Sequence, residues 1–131
     1  MIVGIGLDVV ETARMERILK GASGSRFVDR VLTPRERKAW EALPARRALE
    51  FVSGRFAAKE AVVKALGCGI GATVGFRDIE VLADESGKPV CRLSSAAAMR
   101  LGWEEDGGRR VLVAITHERS LAAATALIEK L

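Results

Sequence analysis

The first residues of the chain alternate in a way that is typical of a β-strand. Residues 2–10 form an apolar run that contains two glycines, and a strand places alternate residues on opposite faces. One face is apolar and consists of Val3, Ile5, Leu7 and Val9. The opposite face consists of Ile2, Gly4, Gly6 and Asp8. Asp8 therefore shares its face with residues that lack a side chain, and another backbone can approach that face closely.

Two helix signals follow this strand. Apolar positions in 11–20 have helical spacing, and the Gly-Ala-Ser-Gly segment at 21–24 predicts the end of that helix. Thr33 is predicted to cap a second helix, with Pro34 in its first turn and Glu36 completing a capping box.

A long helix is predicted from Pro44 or Ala45 to Gly67. At about 100° per residue, its apolar positions form one stripe that should face the core. That stripe consists of Leu49, Val52, Phe56 and Val63. The segment 67–71, Gly-Cys-Gly-Ile-Gly, is predicted to be a loop.

The second half of the chain is predicted to consist mainly of strands. Its elements are a β-hairpin of 76–83 and 88–93, a short helix from Ser94 or Ser95 to Gly102, a charged loop at 104–110, and two strands at 110–116 and 121–128 joined by a tight turn. The order of elements predicts an α+β fold, with a largely antiparallel sheet packed on the one long helix. Residues 1–131 are predicted to form a single domain, because no linker divides them.

Composition agrees with a globular protein and excludes some classes of site. Hydrophobic residues make up 49% and charged residues 29% of the chain. No apolar run approaches the length that crosses a bilayer, and no basic segment precedes the N-terminal apolar stretch. We therefore expect a cytoplasmic protein with no membrane partner. Cys68, Cys91 and His117 cannot supply four zinc ligands without carboxylates.

The chain is moderately basic. It has 21 Lys and Arg residues against 17 Asp and Glu residues, which gives a formal net charge of +4. This charge favours an anionic partner, which could be nucleic acid, a phosphorylated small molecule or an acidic protein. Charge alone does not choose among these three classes, and a solvated basic surface is the ordinary alternative.

Asp8 and Glu60 are candidate ligands of a divalent cation. A carboxylate within an apolar strand is costly to bury, and Glu60 lies about 40° from Phe56 in helical projection, at the edge of the apolar stripe. The alanines of 57–61 would let the long helix pack closely on the glycine face of the first strand, which would bring the two carboxylates together. Such carboxylates repel unless a proton or cation lies between them, and magnesium is a suitable cation.

Both acids also have ordinary interpretations. Asp8 could cap the helix that begins near Glu11, and Glu60 could form an ion pair with Lys64, four residues further along the helix. The predicted magnesium site depends on the two acids meeting in the fold.

Three basic residues surround Glu60 on the long helix, namely Arg55, Lys59 and Lys64. Lys64 lies on the same side as Glu60, so its ammonium group could contact a phosphate held by the metal. For Arg55 and Lys59 the ordinary interpretation is a solvated helix face.

His117 and the glycine-containing loop are weaker candidates. His117, the only histidine, lies at a strand end and could contact a phosphate, carry a proton or simply be polar. The loop at 67–71 could present backbone amides to a phosphate, or it could be a helix C-cap followed by a turn.

Three segments of the chain match the motifs of one enzyme family. They are Gly4-Ile5-Gly6-Leu7-Asp8 with Arg14, Gly54-Arg55-Phe56-Ala57-Ala58-Lys59-Glu60-Ala61 with Lys64-Ala65-Leu66-Gly67, and Ile115-Thr116-His117 with Ala122-Ala123-Ala124. They resemble the motifs of the holo-acyl-carrier-protein synthases of the 4′-phosphopantetheinyl transferase superfamily. The likeness runs from Ile2 to about Ile128, and its second motif is long and specific.

This resemblance implies a function. The family transfers 4′-phosphopantetheine from coenzyme A to a serine of apo-acyl carrier protein and releases adenosine 3′,5′-bisphosphate. By resemblance, Asp8 and Glu60 hold Mg²⁺ against the diphosphate of coenzyme A, and Lys64 adds a positive charge beside them. The general base stays unassigned among a water, a substrate phosphate, Glu60 and a group on the carrier protein.

The resemblance also implies binding surfaces and an assembly. Arg55, Lys64, Gly67 and His117 are implied contacts of coenzyme A. Arg14, Arg26 and Arg30 are implied to dock the acidic recognition helix of the carrier protein. The small members of the family are homotrimers with active sites between neighbouring subunits, and we expect the same assembly here.

Two positions depart from the family pattern. Leu121 stands where an aromatic residue often follows the histidine motif, and the segment from Trp103 to Arg110 is longer than in compact members. Neither position belongs to the predicted metal site.

Two other functions compete with this interpretation. A magnesium-dependent nuclease or phosphatase would use the same pair of acids without coenzyme A. A non-catalytic nucleic-acid-binding module has less support, because the chain has only four Phe and two Trp residues and its basic residues are not interleaved with them. We therefore expect no nucleic-acid partner.

Overall fold

The computed structural model describes residues 1–103 and 108–131. Its strands are β1 (Ile2–Glu11), β2 (Ile79–Ala83), β3 (Pro89–Leu93), β4 (Arg109–His117) and β5 (Leu121–Lys130). Its helices are α1 (Thr12–Lys20), α2 (Gly24–Val31), α3 (Pro34–Glu41), α4 (Ala45–Leu66) and α5 (Ser95–Arg100), with a 3₁₀ turn at Phe76–Asp78. The predicted loop at 104–110 falls partly outside the described residues, and its last two positions belong to β4.

The strands form two antiparallel sheets. One sheet has the order β1-β5-β4, and the other pairs β2 with β3. The register places Asp8 opposite Ala124, and Ala124 opposite Ile115 on β4. The predicted α+β fold is confirmed, although its strands are divided between two sheets.

The first strand of the hairpin begins at Ile79, three residues later than predicted. Residues 76–78 form a 3₁₀ turn, because the Asp78 carboxylate accepts a hydrogen bond of 2.8 Å from the Gly75 N–H and closes the chain there. Strand pairing then starts at Ile79, which lies opposite Leu93.

Helix α2 was not predicted from the sequence. Its N-cap residue, Ser23, is of a type that favours helix starts but makes no side-chain capping bond, and the sequence prediction places it in the segment that ends the first helix. Tertiary packing stabilises the helix, since Val28 and Val31 are buried in the core. The same helix presents Arg26 and Arg30 to solvent.

The other helices follow their signals. Thr33 and Glu36 form the predicted capping box of α3, and α4 ends at Gly67 in the left-handed conformation that favours glycine. The predicted apolar stripe of α4 faces the core, where Leu49, Val52 and Val63 are buried.

The glycine face of β1 packs directly against α4. A Cβ on Gly6 would lie 1.9 Å from the Ala61 carbonyl oxygen, and one on Gly4 would lie 2.2 Å from the Ala65 carbonyl oxygen. Neither distance is compatible with a side chain, so the contact requires glycine at both positions. The predicted packing of the long helix on this face is confirmed.

The opposite face of β1 is apolar and exposed in the single chain. Its residues have exposed fractions of 49% for Val3, 72% for Ile5, 57% for Leu7 and 54% for Val9. We call these four residues the β1 apolar face. A contiguous apolar surface of this kind is typical of a binding interface.

Within residues 1–103 and 108–131, no helix has both the length and the apolar character needed to span a bilayer.

Lys59 forms a buried ion pair, which shows that its interpretation as part of a solvated helix face is wrong. Its Nζ lies 2.5 Å from Glu36 Oε1 and donates a hydrogen bond of 2.6 Å to the Val31 carbonyl oxygen, and both charged side chains are fully buried. Glu36 also accepts hydrogen bonds from the backbone N–H groups of Thr33 and Val81. Burial lowers the pKa of Lys59, and the charge of Glu36 opposes that shift.

We predict that Lys59→Met lowers the free energy of unfolding by about 3–5 kcal/mol, because it leaves a buried carboxylate without its partner. The measurement is chemical denaturation followed by circular dichroism. Lys20→Met is the matched control, since Lys20 pairs with Glu16 at the surface and such pairs contribute about 1 kcal/mol or less. Equal losses in the two variants would contradict a special role for the buried pair.

Candidate active site

Asp8 and Lys64 form an ion pair at the β1 edge of the sheet. Asp8 Oδ1 lies 2.9 Å from Lys64 Nζ, which also donates a hydrogen bond of 3.2 Å to the Leu7 carbonyl oxygen. The N-cap of α1 is Glu11, and it makes no side-chain capping bond. The alternative interpretation of Asp8 as the cap of that helix is therefore wrong.

Glu60 lies within electrostatic reach of the same pair. Burial raises the pKa of Glu60, the charge of Asp8 raises it further, and the ammonium group of Lys64 opposes both effects. In the described part of the chain, the ion pair of Lys64 is with Asp8 and not with Glu60. The close packing of α4 on β1 thus pairs Lys64 with Asp8 and places Glu60 near enough for the charge of Asp8 to raise its pKa.

This group of residues suits a hard divalent cation. Within the described residues no cluster contains three or more His, Cys, Asp or Glu side chains, which is the requirement for a site made of protein ligands alone. Magnesium needs only one or two carboxylates when water and substrate phosphates complete its coordination. Burial is the larger cause of the raised pKa of Glu60, and repulsion from Asp8 is the second; a cation would relieve that repulsion.

A second group of charged residues surrounds a cavity near the start of α4. The cavity has a volume of about 440 Å³, and Arg47, Arg55 and His117 contribute basic groups to its lining. The Arg55 guanidinium carbon lies 3.9 Å from the centroid of the Phe51 ring, and Arg55 Nε donates a hydrogen bond of 3.2 Å to the Val81 carbonyl oxygen. Burial lowers the pKa of Arg55. We call this region the basic cavity.

Two residues of the basic cavity were missed by the sequence analysis. Arg47 and Glu50 both line it, and Glu50 Oε2 lies 3.3 Å from His117 Nδ1. Arg47 lies eight residues before Arg55, so helical spacing places them on neighbouring faces of α4 and could have indicated Arg47. No local pattern connects Glu50 with His117.

The two groups lie at opposite edges of the sheet. Asp8 is on β1 and His117 is on β4, and β5 separates these strands. Neighbouring strands are about 4.8 Å apart, so the two edges are about 10 Å apart. Along α4, ten residues separate Glu50 from Glu60, which corresponds to about 15 Å of helix. The predicted coenzyme A contacts therefore do not form one pocket within a single chain.

Gly67 serves mainly as the end of α4. Its N–H donates to the Lys64 carbonyl oxygen, and the Cys68 N–H donates to the Val63 carbonyl oxygen, both at 3.1 Å. These amides are already used by the helix cap, as the ordinary interpretation of the glycine loop expects. A contact between coenzyme A and Gly67 would need to use another part of the residue.

The three arginines predicted to dock a carrier protein are all exposed. Arg14 is on α1, and Arg26 and Arg30 lie four residues apart on α2. In the described part of the chain, none of the three forms an ion pair. Their charges are available to an acidic partner.

The chain has clear relatives among known proteins. A family model described as 4′-phosphopantetheinyl transferase superfamily matches residues 4–124, and the chain belongs to this superfamily of enzymes. A holo-[acyl-carrier-protein] synthase of Geobacillus kaustophilus is 47% identical over 131 residues, which cover 100% of this chain and 92% of that protein. Within the superfamily, the chain belongs to the holo-[acyl-carrier-protein] synthases.

Solved structures agree with this assignment. The holo-(acyl-carrier-protein) synthase of Bacillus anthracis, solved in complex with CoA (3′,5′-ADP), is 41% identical and has a TM-score of 0.83, covering 99% of this chain and 98% of that chain. The synthase of Neisseria meningitidis is 36% identical and has a TM-score of 0.87, covering 99% of this chain and 100% of that chain.

Proposed function

We propose that the chain transfers 4′-phosphopantetheine from coenzyme A to a serine of an apo-acyl carrier protein, with Mg²⁺, and releases adenosine 3′,5′-bisphosphate. The observation that carries this proposal is the Asp8–Lys64 ion pair at the β1 edge, with Glu60 near enough for the charge of Asp8 to raise its pKa. Membership of the synthase family supplies the reaction class. We place this activity in the cytoplasm and treat residues 1–131 as one domain.

The roles of the three residues follow from their chemistry. When bound, Mg²⁺ would neutralise charge on the diphosphate of coenzyme A as the serine attacks the β-phosphate. Asp8 and Glu60 would hold the ion with their carboxylate oxygens. Lys64 would exchange part of its contact with Asp8 for a phosphate oxygen, because an ammonium group supplies a mobile positive charge. This reaction depends on positioning and charge neutralisation.

Mass spectrometry of apo-acyl carrier protein incubated with the enzyme, coenzyme A and Mg²⁺ tests the proposal. We expect the carrier protein to gain one phosphopantetheine, and a chelator to prevent that gain. Asp8→Ala and Glu60→Ala should lose most of the turnover while remaining folded. An unmodified carrier protein, with phosphoester or nucleic-acid cleavage in its place, would support the nuclease or phosphatase alternative.

The variant Glu60→Gln tests metal binding by a melting temperature, without measuring turnover. Since burial and Asp8 raise the pKa of Glu60 above 4.5, its ionised form opposes folding at neutral pH, and this effect disappears as the pH falls towards 4.5. In chelator at neutral pH, Glu60→Gln should therefore unfold at a temperature no lower than that of the wild type.

The same variant should lose its response to Mg²⁺. Saturating Mg²⁺ should raise the melting temperature of the wild type by about 2–8 °C, because the ion binds only the folded state, and should leave Glu60→Gln unchanged. Glu16→Gln is the matched control, since Glu16 pairs with Lys20 on α1. An equal response in Glu60→Gln and the wild type would exclude Glu60 as a ligand.

We propose that Arg14, Arg26 and Arg30 dock the acidic helix of the carrier protein. Arg14→Glu should raise the KM for the carrier protein by about tenfold, because it replaces attraction with repulsion at the interface, with little change in the KM for coenzyme A. Added salt should weaken carrier binding to the wild type. Lys38→Glu, which makes the same charge change at an exposed position of α3, should leave both constants near their original values. An equal rise in both constants for Arg14→Glu would argue against docking.

We propose that the working enzyme is a homotrimer with each active site between neighbouring subunits. The exposed β1 apolar face supports an interface, and the separation of the β1 edge from the basic cavity within one chain supports a shared site. Coenzyme A would then contact Asp8, Glu60 and Lys64 of one subunit, and Arg55 and His117 of its neighbour.

Ile5→Glu should disrupt that assembly. We expect light scattering to give three times the chain mass for the wild type and a single chain mass for Ile5→Glu, with loss of turnover. Met99→Glu is the matched control, because Met99 on α5 is 70% exposed and Ile5 is 72% exposed. A monomeric wild type with full turnover would contradict a shared site.

A further inference from the structure

Glu50 connects the basic cavity with the turn between β4 and β5. Its Oε2 lies 3.3 Å from His117 Nδ1, and its Oε1 accepts a hydrogen bond of 3.2 Å from Arg46 Nε. Arg46 in turn donates a hydrogen bond of 2.9 Å to the Arg119 carbonyl oxygen. The contacts with His117 and Arg46 therefore hold the Glu50 carboxylate between α4 and the turn that follows β4.

The Glu50 side chain is the more buried partner of the pair, with an exposed fraction of 24% against 47% for His117. Packing holds a half-exposed imidazole at a strand end only in part. A carboxylate 3.3 Å from Nδ1 adds an electrostatic constraint on the ring, because a partner at one ring nitrogen orients the other.

The other charged groups of the cavity are cationic. Arg47 and Arg55 line it together with His117 and Glu50. When Nδ1 donates to Glu50, Nε2 is the ring nitrogen available to a ligand in the cavity. In the protonated imidazole Nε2 also carries a hydrogen, which it can donate to a phosphate oxygen beside the two guanidinium groups.

We propose that Glu50 is a positioning residue that accepts the Nδ1–H of His117 and directs Nε2 towards an anionic group of coenzyme A. This inference rests on the proposed function, in which His117 contacts coenzyme A. Glu50 does not contact the substrate. It acts through the orientation of one imidazole, whose protonated form carries the Nε2–H that meets the phosphate.

The tautomer can be read directly, because His117 is the only histidine in the chain. In uniformly ¹⁵N-labelled enzyme at alkaline pH, two-bond ¹H–¹⁵N spectra should show the wild-type imidazole with its hydrogen on Nδ1. Glu50→Ala should move the population towards the Nε2–H form that free imidazole side chains favour. Glu50→Gln should retain the wild-type tautomer, because its amide oxygen can still accept the Nδ1–H. An Nδ1–H tautomer that persists in Glu50→Ala would overturn the proposal.

Kinetics supply the second measurement. Glu50→Ala should raise the KM for coenzyme A by about five- to tenfold, since it removes one charge-assisted hydrogen bond, while kcat changes less than about twofold. Glu50→Gln should recover most of the affinity. Glu41→Gln is the matched control. Glu41 Oε1 accepts a hydrogen bond of 3.0 Å from Arg37 Nε, as Glu50 Oε1 does from Arg46 Nε.

A double-mutant cycle tests whether Glu50 and His117 act together. If Glu50 acts through His117, adding Glu50→Ala to His117→Ala should change the KM for coenzyme A by less than about twofold. Additive effects would show that Glu50 acts independently and would overturn the proposal. A wild-type enzyme that fails to modify the carrier protein would instead refute the proposed function, so the two failures are distinguishable.

Discussion

The contact between the glycine face of β1 and the backbone of α4 determines the rest of the candidate site. The Ala61 and Ala65 carbonyl groups lie where side chains on Gly6 and Gly4 would be. Because the helix lies this close to the strand, residues next to these alanines extend past the β1 edge. Lys64 therefore reaches Asp8, and Glu60 lies where burial and the charge of Asp8 raise its pKa. A wider spacing would leave the three side chains as unrelated surface charges.

A second constraint keeps α4 in that position. The buried pair of Lys59 and Glu36 joins the middle of α4 to the start of α3, the end of α2 and strand β2. A buried ion pair is weak evidence for net stability, because desolvation offsets its attraction. Its geometry is nevertheless demanding, since each donor and acceptor has a fixed partner. Lys59 is also adjacent in sequence to Glu60, so the network that orders α4 acts one residue from the proposed metal ligand.

The fold and part of the site could be predicted because their signals are local. The capping box at Thr33, the length of α4 and the glycine face of β1 all follow from spacing along the chain, and the glycine face led to the prediction that Asp8 and Glu60 lie close together. Helix α2 has no side-chain cap and depends on the burial of Val28 and Val31, which only the tertiary structure supplies. The burial of Lys59 likewise depends on Glu36, which is 23 residues away.

The basic cavity was the least predictable part, because its residues meet only through tertiary packing. His117 and Glu50 meet through the packing of β4 against the start of α4, and helical spacing says nothing about that contact. The arrangement also supports the proposal that neighbouring subunits share the site. The groups that would hold a metal and the groups that would hold a further anion occupy opposite edges of one sheet. In the proposed trimer, a neighbouring subunit would bring the second edge to the first, and the exposed β1 apolar face is the surface on which such a neighbour would pack.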